Sequence, residues 1–380
     1  MSSYAGTFDL AIVGAGIVGQ SLAWHAARRG MRVAIFERAG TPLGASIRNF
    51  GLIWPIGQPA GPRFDLALDS LRHWHEAAAA AALDLRPTGS LHLAYRAEEV
   101  AVLEEFVGTQ TGEGHDCRML TPAETLAQAP AARPDGLRGA MFSNTECQIS
   151  SPLALTILAR HLVDRLGVAI HWRHAVTAVE TGHLVAGGAR WAARRIVVCP
   201  GAELDTLFPG LLHEAGLRPV RLQMLAARTG TPFDLGPALC AGLTLLHYPA
   251  FEGCRTLPAL RARLEHECDD ALADGIHILL SQHEGGELII GDSHDYGPDT
   301  TPFNSEPVDQ RILHYLAEMT VLPPLRITRR WQGVYVSSHH GPATRLDPCD
   351  RVTVLTGLGG AGMTLSFGVT ARLLQEVADV

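Results

Sequence analysis

The chain has 380 residues, 47% of them hydrophobic and 18% charged, with a net charge of −8. That balance predicts a soluble globular protein of two domains, and the acidic surplus argues against a nucleic-acid surface. No apolar run reaches the ~18 residues of a membrane span, and the lack of any lysine excludes chemistry that needs a lysine amine.

In chain order, the first element is an apolar strand, Asp9 to Val13, that runs into Gly14-Ala15-Gly16-Ile17-Val18-Gly19. A helix follows to about Arg29 and stops at Gly30, and a second strand, Arg32 to Phe36, ends on Glu37-Arg38. Glycines in this pattern allow a tight turn, close approach of backbone to a pyrophosphate and close helix–strand packing. The new helix offers unpaired N–H groups to that pyrophosphate, and an acid at the place of Glu37 meets a ribose hydroxyl. This is a dinucleotide site, and the motif alone does not separate NAD from FAD. Strand chemistry begins by Phe8, which leaves no room for a leader before the fold, so the expected location is the cytoplasm.

Residues 41–61 are rich in glycine and proline yet carry Ile47, Phe50, Leu52, Ile53, Trp54 and Ile56. A loop that apolar is expected to pack against something. Phe64 to Leu83 has helical spacing, Gly89 to Tyr95 alternates as a strand, and Glu98 to Val107 is a short helix. Thr121-Pro122-Ala123-Glu124 is a capping box, and Ser151-Pro152 starts a helix that stops at Gly167. Strands are expected over 168–172, 176–180, 190–191 and 195–199, the last closing on Pro200-Gly201. Further strands follow at 220–226, 276–283 and 287–291, with Gly285-Gly286 as a two-residue hairpin turn. Glu306 to Met319 is an amphipathic helix, and 326–336 is again strand-like.

The C-terminus repeats the opening theme. Arg351 to Thr356 is a strand, Gly357 to Thr364 a glycine-rich turn and Leu365 to Val377 a helix. A second helix N-terminus can face the negative charge that a flavin ring acquires on reduction, which favours FAD over a nicotinamide. Seven cysteines without a C-x-x-C pair read as free thiols, and no metal site is expected.

These motifs together resemble the D-amino acid oxidase-like flavoproteins, which include glycine and sarcosine oxidases. The resemblance rests on Gly14 to Gly19 with Glu37-Arg38, on Gly44 to Gly51, on Val176, on Val198 to Gly201 and on Gly357 to Thr364. It implies an α/β fold: a discontinuous Rossmann-like FAD domain (1–85, 145–218 and 326–380) and an α+β substrate domain on an antiparallel sheet (86–144 and 219–325). It also implies that Glu37 binds the adenosine ribose and that Ser46 and Asn49 lie along the pyrophosphate and flavin. Val176 would meet adenine through its backbone, with Gly201 at a further turn near this site. Gly359, Gly360, Gly362, Met363 and Thr364 would face the flavin pyrimidine edge. The stretch Ser46 to Gln58, with Gly291-Asp292-Ser293-His294, is similar to a phosphonate-associated clade of these flavoproteins.

Two departures bear on the substrate. The amino-acid oxidases carry a carboxylate-gripping arginine where this chain has Tyr335. The lysine that activates oxygen in sarcosine oxidase-like members has no counterpart, and Cys349 falls outside the flavin-attaching position, so FAD is expected to be non-covalent. Arg48 is the first candidate for the substrate's acidic group, since a guanidinium fork suits carboxylate or phosphonate. Arg330, His339 and His340 follow, Tyr335 is a candidate donor and Trp54 a candidate wall, while His277 and His294 read as satisfied strand histidines. The expected reaction is FAD-dependent oxidation of an aminophosphonate, such as an N-methylated or hydroxylated 2-aminoethylphosphonate, to an imine and then an aldehyde. A sarcosine- or glycine-type amino acid is the alternative, and a flavin-binding redox sensor without turnover the third reading. No oligomeric state follows from the sequence.

Overall fold

The computed structural model describes residues 4–297, 301–338 and 341–378. Its first sheet has eight strands. At its centre Thr7–Val13 is flanked in parallel by Val33–Glu37 on one side and by Ala189–Val198 on the other. Leu10, Ala11 and Ile12 are fully buried, the near-continuous apolar run expected of a strand covered on both faces. Val352–Thr356 adds in parallel beyond Ala189–Val198, so both terminal strand–glycine–helix units end at the same edge of one sheet.

Four helices cover one face: Ile17–Arg28, Pro62–Ala81, Ser151–Asp164 and Gly362–Ala378. Trp24, Trp74, Leu155 and Phe367 form their common core. Two side chains cross between helices. The Trp74 indole N–H donates to the Met363 carbonyl at 2.8 Å, and His25 Nε2 lies 3.0 Å from the Phe367 carbonyl. A fully buried tryptophan in such a core is worth about 3–5 kcal/mol against alanine.

The second sheet has nine strands and is antiparallel except where Ala238–Cys240 runs alongside Ser90–Ala94. Its longest pair joins Arg218–Thr229 to Leu325–Ser337, from Arg218 opposite Ser337 to Thr229 opposite Leu325, with a register shift between Ala226 and Ala227. The strand Leu325–Ser337 therefore lies in this sheet, although the expected division at residue 326 placed it with the nucleotide-binding segments.

Several local expectations need correction. Residues 190–191 and 195–198 belong to one strand, Ala189–Val198, which ends one residue before the expected Cys199 and whose first half pairs with the unforeseen hairpin strand His183–Ala186. Its arginines at 190, 194 and 195 interrupt the apolar pattern without interrupting the ladder. The turn after Leu279–Gln282 spans Glu284–Gly286, with Gly285 and Gly286 both at positive φ, and is longer than a two-residue turn. The short helices Leu243–His247, Leu257–Glu267 and Asp269–Ala273 were not foreseen. The capping box at Thr121 is present: its hydroxyl accepts from the Glu124 N–H at 3.3 Å, and the Glu124 carboxylate accepts from the Thr121 N–H at 2.8 Å. Six of the seven cysteines are buried, and Cys349 is exposed.

Candidate active site

The glycine turns of the first sheet face the long strand pair of the second across a cleft. Gly14 has φ +101°, and a Cβ there would stand 2.5 Å from the Cys199 carbonyl oxygen. A Cβ at Gly19 would collide with the Gly14 carbonyl oxygen, so the helix can sit this close to its turn only without a side chain at Gly19. Gly16 caps that helix with no side-chain hydrogen bond. The Ile17 N–H is met instead by Ser46 Oγ at 3.0 Å.

The loop 44–51 is organised by Asn49. Its Nδ2 donates to the Ala45 carbonyl at 2.9 Å, while its Oδ1 accepts from the Gly51 N–H at 2.8 Å and the Ser151 hydroxyl at 2.7 Å. Arg48 projects from this loop and lines the cleft, with Nη1 donating to the Gln332 carbonyl at 3.4 Å. The Trp331 indole N–H donates in turn to the Arg48 carbonyl at 3.3 Å, so the loop and the strand Leu325–Ser337 hold each other. Gly360 and Tyr335 meet across the cleft, the tyrosine oxygen lying 3.6 Å from where a Gly360 Cβ would be.

The far wall carries Leu222 and Met224 together with His247, Tyr248, His277, Asp292 and His294. Burial pushes the Asp292 carboxyl well above its usual range and the Tyr335 and Tyr248 phenols well above theirs. It pushes the His277 and His247 imidazoles well below theirs and His294 to about 4. Each of these groups is driven toward its uncharged form because water cannot solvate the ion.

A family model described as FAD dependent oxidoreductase (DAO) matches residues 9–377. The chain belongs to this family. A subunit of the opine oxidase of Rhizobium meliloti is 29% identical over 251 residues, covering 62% of this chain and 67% of that protein. Glycine oxidase of Geobacillus kaustophilus (strain HTA426) is 27% identical over 237 residues, 59% of this chain and 63% of that protein. The crystal structure of glycine oxidase from Geobacillus kaustophilus has the same fold, with a TM-score of 0.77 at 22% identity over 99% of this chain and 95% of that one. As a DAO-family member the protein is an FAD-dependent oxidoreductase.

The residues present fit FAD. The uncapped helix start at Gly16 leaves N–H groups for phosphate. Gly201 and Gly362 line the cleft with no atom within 4 Å of a Cβ built on either, which leaves room for a group pressed against backbone.

The candidate residues do not all gather in the cleft. Gly16, Ile17, Val18, Gly19, Ser46, Arg48, Asn49 and Tyr335 line it, as do Gly201, Gly359, Gly360, Gly362 and Met363. Glu37 stands behind the first turn, Oε2 accepting from the Ala15 N–H and Oε1 from the Ala39 N–H, each at 2.9 Å. Arg38 pairs with Glu203 at 2.9 Å on the surface, and Val176 is buried in its strand. Trp54 is 4% exposed and packs on His92 and Tyr248, and its backbone N–H donates to the Thr364 hydroxyl at 2.9 Å. Neither Trp54 nor Thr364 lines the cleft. Arg330 turns away, with Nε 2.9 Å from Asp309 and Nη2 3.3 Å from Glu306. His339 and His340 lie outside the described residues.

His247, Tyr248 and Asp292 were not foreseen as cleft residues. A signal existed for Asp292, which follows the fully buried run Leu288–Gly291 and is too polar for that setting unless it is used. The reading of His277 as a satisfied histidine holds only in part: its Nε2 lies 3.1 Å from Asp292 Oδ1, whereas its Nδ1 has no hydrogen-bond partner. Among the described residues, no helix is long and apolar enough to cross a membrane.

Proposed function

We propose that this protein oxidises a small amine bearing an acidic group, with an aminophosphonate as its substrate: an N-methylated or hydroxylated relative of 2-aminoethylphosphonate. The observation that carries the acidic group is Arg48, the one guanidinium lining the cleft among the described residues, fixed between the 44–51 loop and the strand of Tyr335. A fork of N–H donors at that seam takes the oxygens of a phosphonate or carboxylate in pairs. The phosphonate reading is supported by the stretch Ser46 to Gln58 and by Tyr335 standing where the amino-acid oxidases place an arginine.

When bound, FAD supplies the two-electron oxidation of the amine's carbon–nitrogen bond. Its phosphates are assigned to the N–H groups at Gly16 to Gly19 with Ser46 and Asn49, and its ribose to Glu37. Arg38 and Val176 belong to the adenosine end, and Gly201, Gly359, Gly360, Gly362, Met363 and Thr364 to the ring end. Leu222 and Met224 exclude water from the reacting carbon, Arg48 orients the substrate by its acid, and Tyr335 donates a hydrogen bond to the same group. The product imine hydrolyses in water to an aldehyde and an amine or ammonia.

A second reading is a small amino acid of the glycine, sarcosine or opine kind, favoured by the likeness to an opine oxidase subunit and a glycine oxidase. Anaerobic mixing decides. Bleaching of the flavin's visible band by N-methyl-2-aminoethylphosphonate, with none by sarcosine or glycine, is the expected result. Bleaching by sarcosine or glycine alone transfers the assignment to the second reading, and bleaching by none of them overturns both.

A further inference from the structure

The amine oxidation gives no use to one cluster on the far wall of the cleft. His247 ends the short helix Leu243–His247, His277 precedes the strand Leu279–Gln282, and Asp292 and His294 follow the strand Leu288–Gly291. The three imidazoles present ring nitrogens that all lie within 4.8 Å of one another. Asp292 Oδ1 stands 3.1 Å from His277 Nε2 and 3.9 Å from His294 Nδ1.

The cluster is built, and it is incomplete. The His277 backbone N–H donates to the Asp292 carbonyl at 3.1 Å and the Asp292 N–H donates back to the His277 carbonyl at 2.9 Å, which staples the two segments together. The Ser293 hydroxyl, on the same segment, takes the Gln223 N–H at 3.1 Å. His294 Nδ1 is 3.1 Å from the Gly275 carbonyl, and a hydrogen bond there leaves Nε2 as a free lone pair. Metal-ligating histidines are held in this way, one nitrogen on a carbonyl and the other on the ion. Yet His277, 2% exposed, has no hydrogen-bond partner on Nδ1, and its Nε2 faces only Asp292 Oδ1, 3.1 Å away and outside hydrogen-bond geometry, with Asp292 itself 3% exposed. Buried polar atoms left so cost about 1–3 kcal/mol each. The rings stack, His247 on His277 with centroids 3.8 Å apart and His277 on His294 at 5.1 Å, but stacking leaves the in-plane His277 Nδ1 without a partner.

We propose that His247, His277, His294 and Asp292 bind a divalent metal ion of the zinc class in the wall of the substrate cleft. Three nitrogen donors and one oxygen suit zinc, cobalt or nickel rather than calcium or magnesium, which want oxygen cages. Zinc–nitrogen bonds of ~2.0–2.1 Å require the nitrogens, now within 4.8 Å of one another, to draw closer and the stacked rings to tilt toward a common point. His247 is half-buried and lines the cleft, so the ion has a way in. A bound dication beside one carboxylate leaves net positive charge facing the cavity of a chain that has no lysine. That charge complements the acidic group of the substrate proposed above. This last step rests on that reading, whereas the metal site does not.

The test uses the FAD-loaded protein, stripped with EDTA, dialysed and titrated with zinc chloride by calorimetry, with retained metal counted by mass spectrometry. The expected result is one ion per chain. His277→Ala and His247→Ala should weaken binding by at least about tenfold, as should the isosteric Asp292→Asn. His213→Ala, at the exposed surface pair with Asp205, should leave this ion in place. The flavin spectrum and melting temperature report whether each variant is folded, and the conservative Asp292→Asn keeps the test open if an alanine variant is not. Substoichiometric uptake by the wild-type protein overturns the proposal, as does uptake by folded cluster variants with wild-type affinity. Flavin bleaching by amines is a separate measurement, so failure of one reading does not mimic failure of the other.

Discussion

Glu37 is aimed before any ligand arrives, because both carboxylate oxygens already accept backbone N–H groups from the loops on either side. Hydrogen bonds to a charged acceptor are worth about 1.5–3 kcal/mol, so Glu37→Gln should weaken FAD binding by about tenfold or more. Fluorescence titration of the deflavinated protein measures this. Arg48 and Arg330 offer a contrast within one residue type. Arg48→Ala should raise KM for the acidic amine at least about tenfold while kcat changes little, as expected when binding is lost equally from ground and transition states. Arg330 is occupied by Asp309 and Glu306, so Arg330→Ala should lower the melting temperature and leave KM unchanged. Steady-state kinetics on both variants separates the two roles, and unchanged KM in Arg48→Ala would remove it from the anion site.

Between elements, the closest contacts fall where two backbones need the space of a side chain. Gly14→Ala would drive a methyl group into the Cys199 carbonyl from a left-handed backbone. A loss of roughly 3 kcal/mol and weakened FAD retention are expected, read from urea unfolding and from flavin content after gel filtration. His25 joins the first helix to the last. Burial lowers its pKa from 6.5 to about 4, assisted by His73 and by Arg28 and Arg29, against the pull of the Phe367 carbonyl. The unfolded chain takes up this proton near pH 6.5, whereas the folded chain refuses it until about 4. Stability should therefore fall by about 3 kcal/mol across that window. His25→Gln keeps a donor for the Phe367 carbonyl and should flatten this part of the curve in melts between pH 7 and pH 4. At this scale the sequence was informative wherever a signal is local. The helix Glu306–Met319 has both its ends as expected, since Ile312, Leu316 and Met319 repeat at helical spacing and bury one stripe. Leu243–His247 and Ala238–Cys240 are too short to carry a period, and their neighbours in space define them.

Across the whole molecule, the cleft exists because the two sheets bring distant segments together. Gly16 and Gly360 share it through the parallel edge of the first sheet, and Tyr335 reaches it through the second. The nucleotide half was legible because each of its turns is a contiguous motif. The far wall was not, since its histidines and Asp292 come from three segments with no common spacing. A ligand that bridges the sheets stabilises both: at a hundredfold excess over Kd, FAD adds about 2.7 kcal/mol. The stripped protein should melt at least about 2 °C lower than the FAD-saturated one, and equal melting temperatures would argue against a cofactor seated between the sheets.

The distribution of sulfur has a practical outcome. Cys349 is exposed at the end of an edge strand of the first sheet, while the remaining thiols are enclosed. A maleimide dye or nitroxide added to the native protein should attach at that position alone, giving a reporter on the nucleotide-binding half without engineering. Labelling that reaches a second site before denaturant is added would show that the interior opens far more readily than its packing implies.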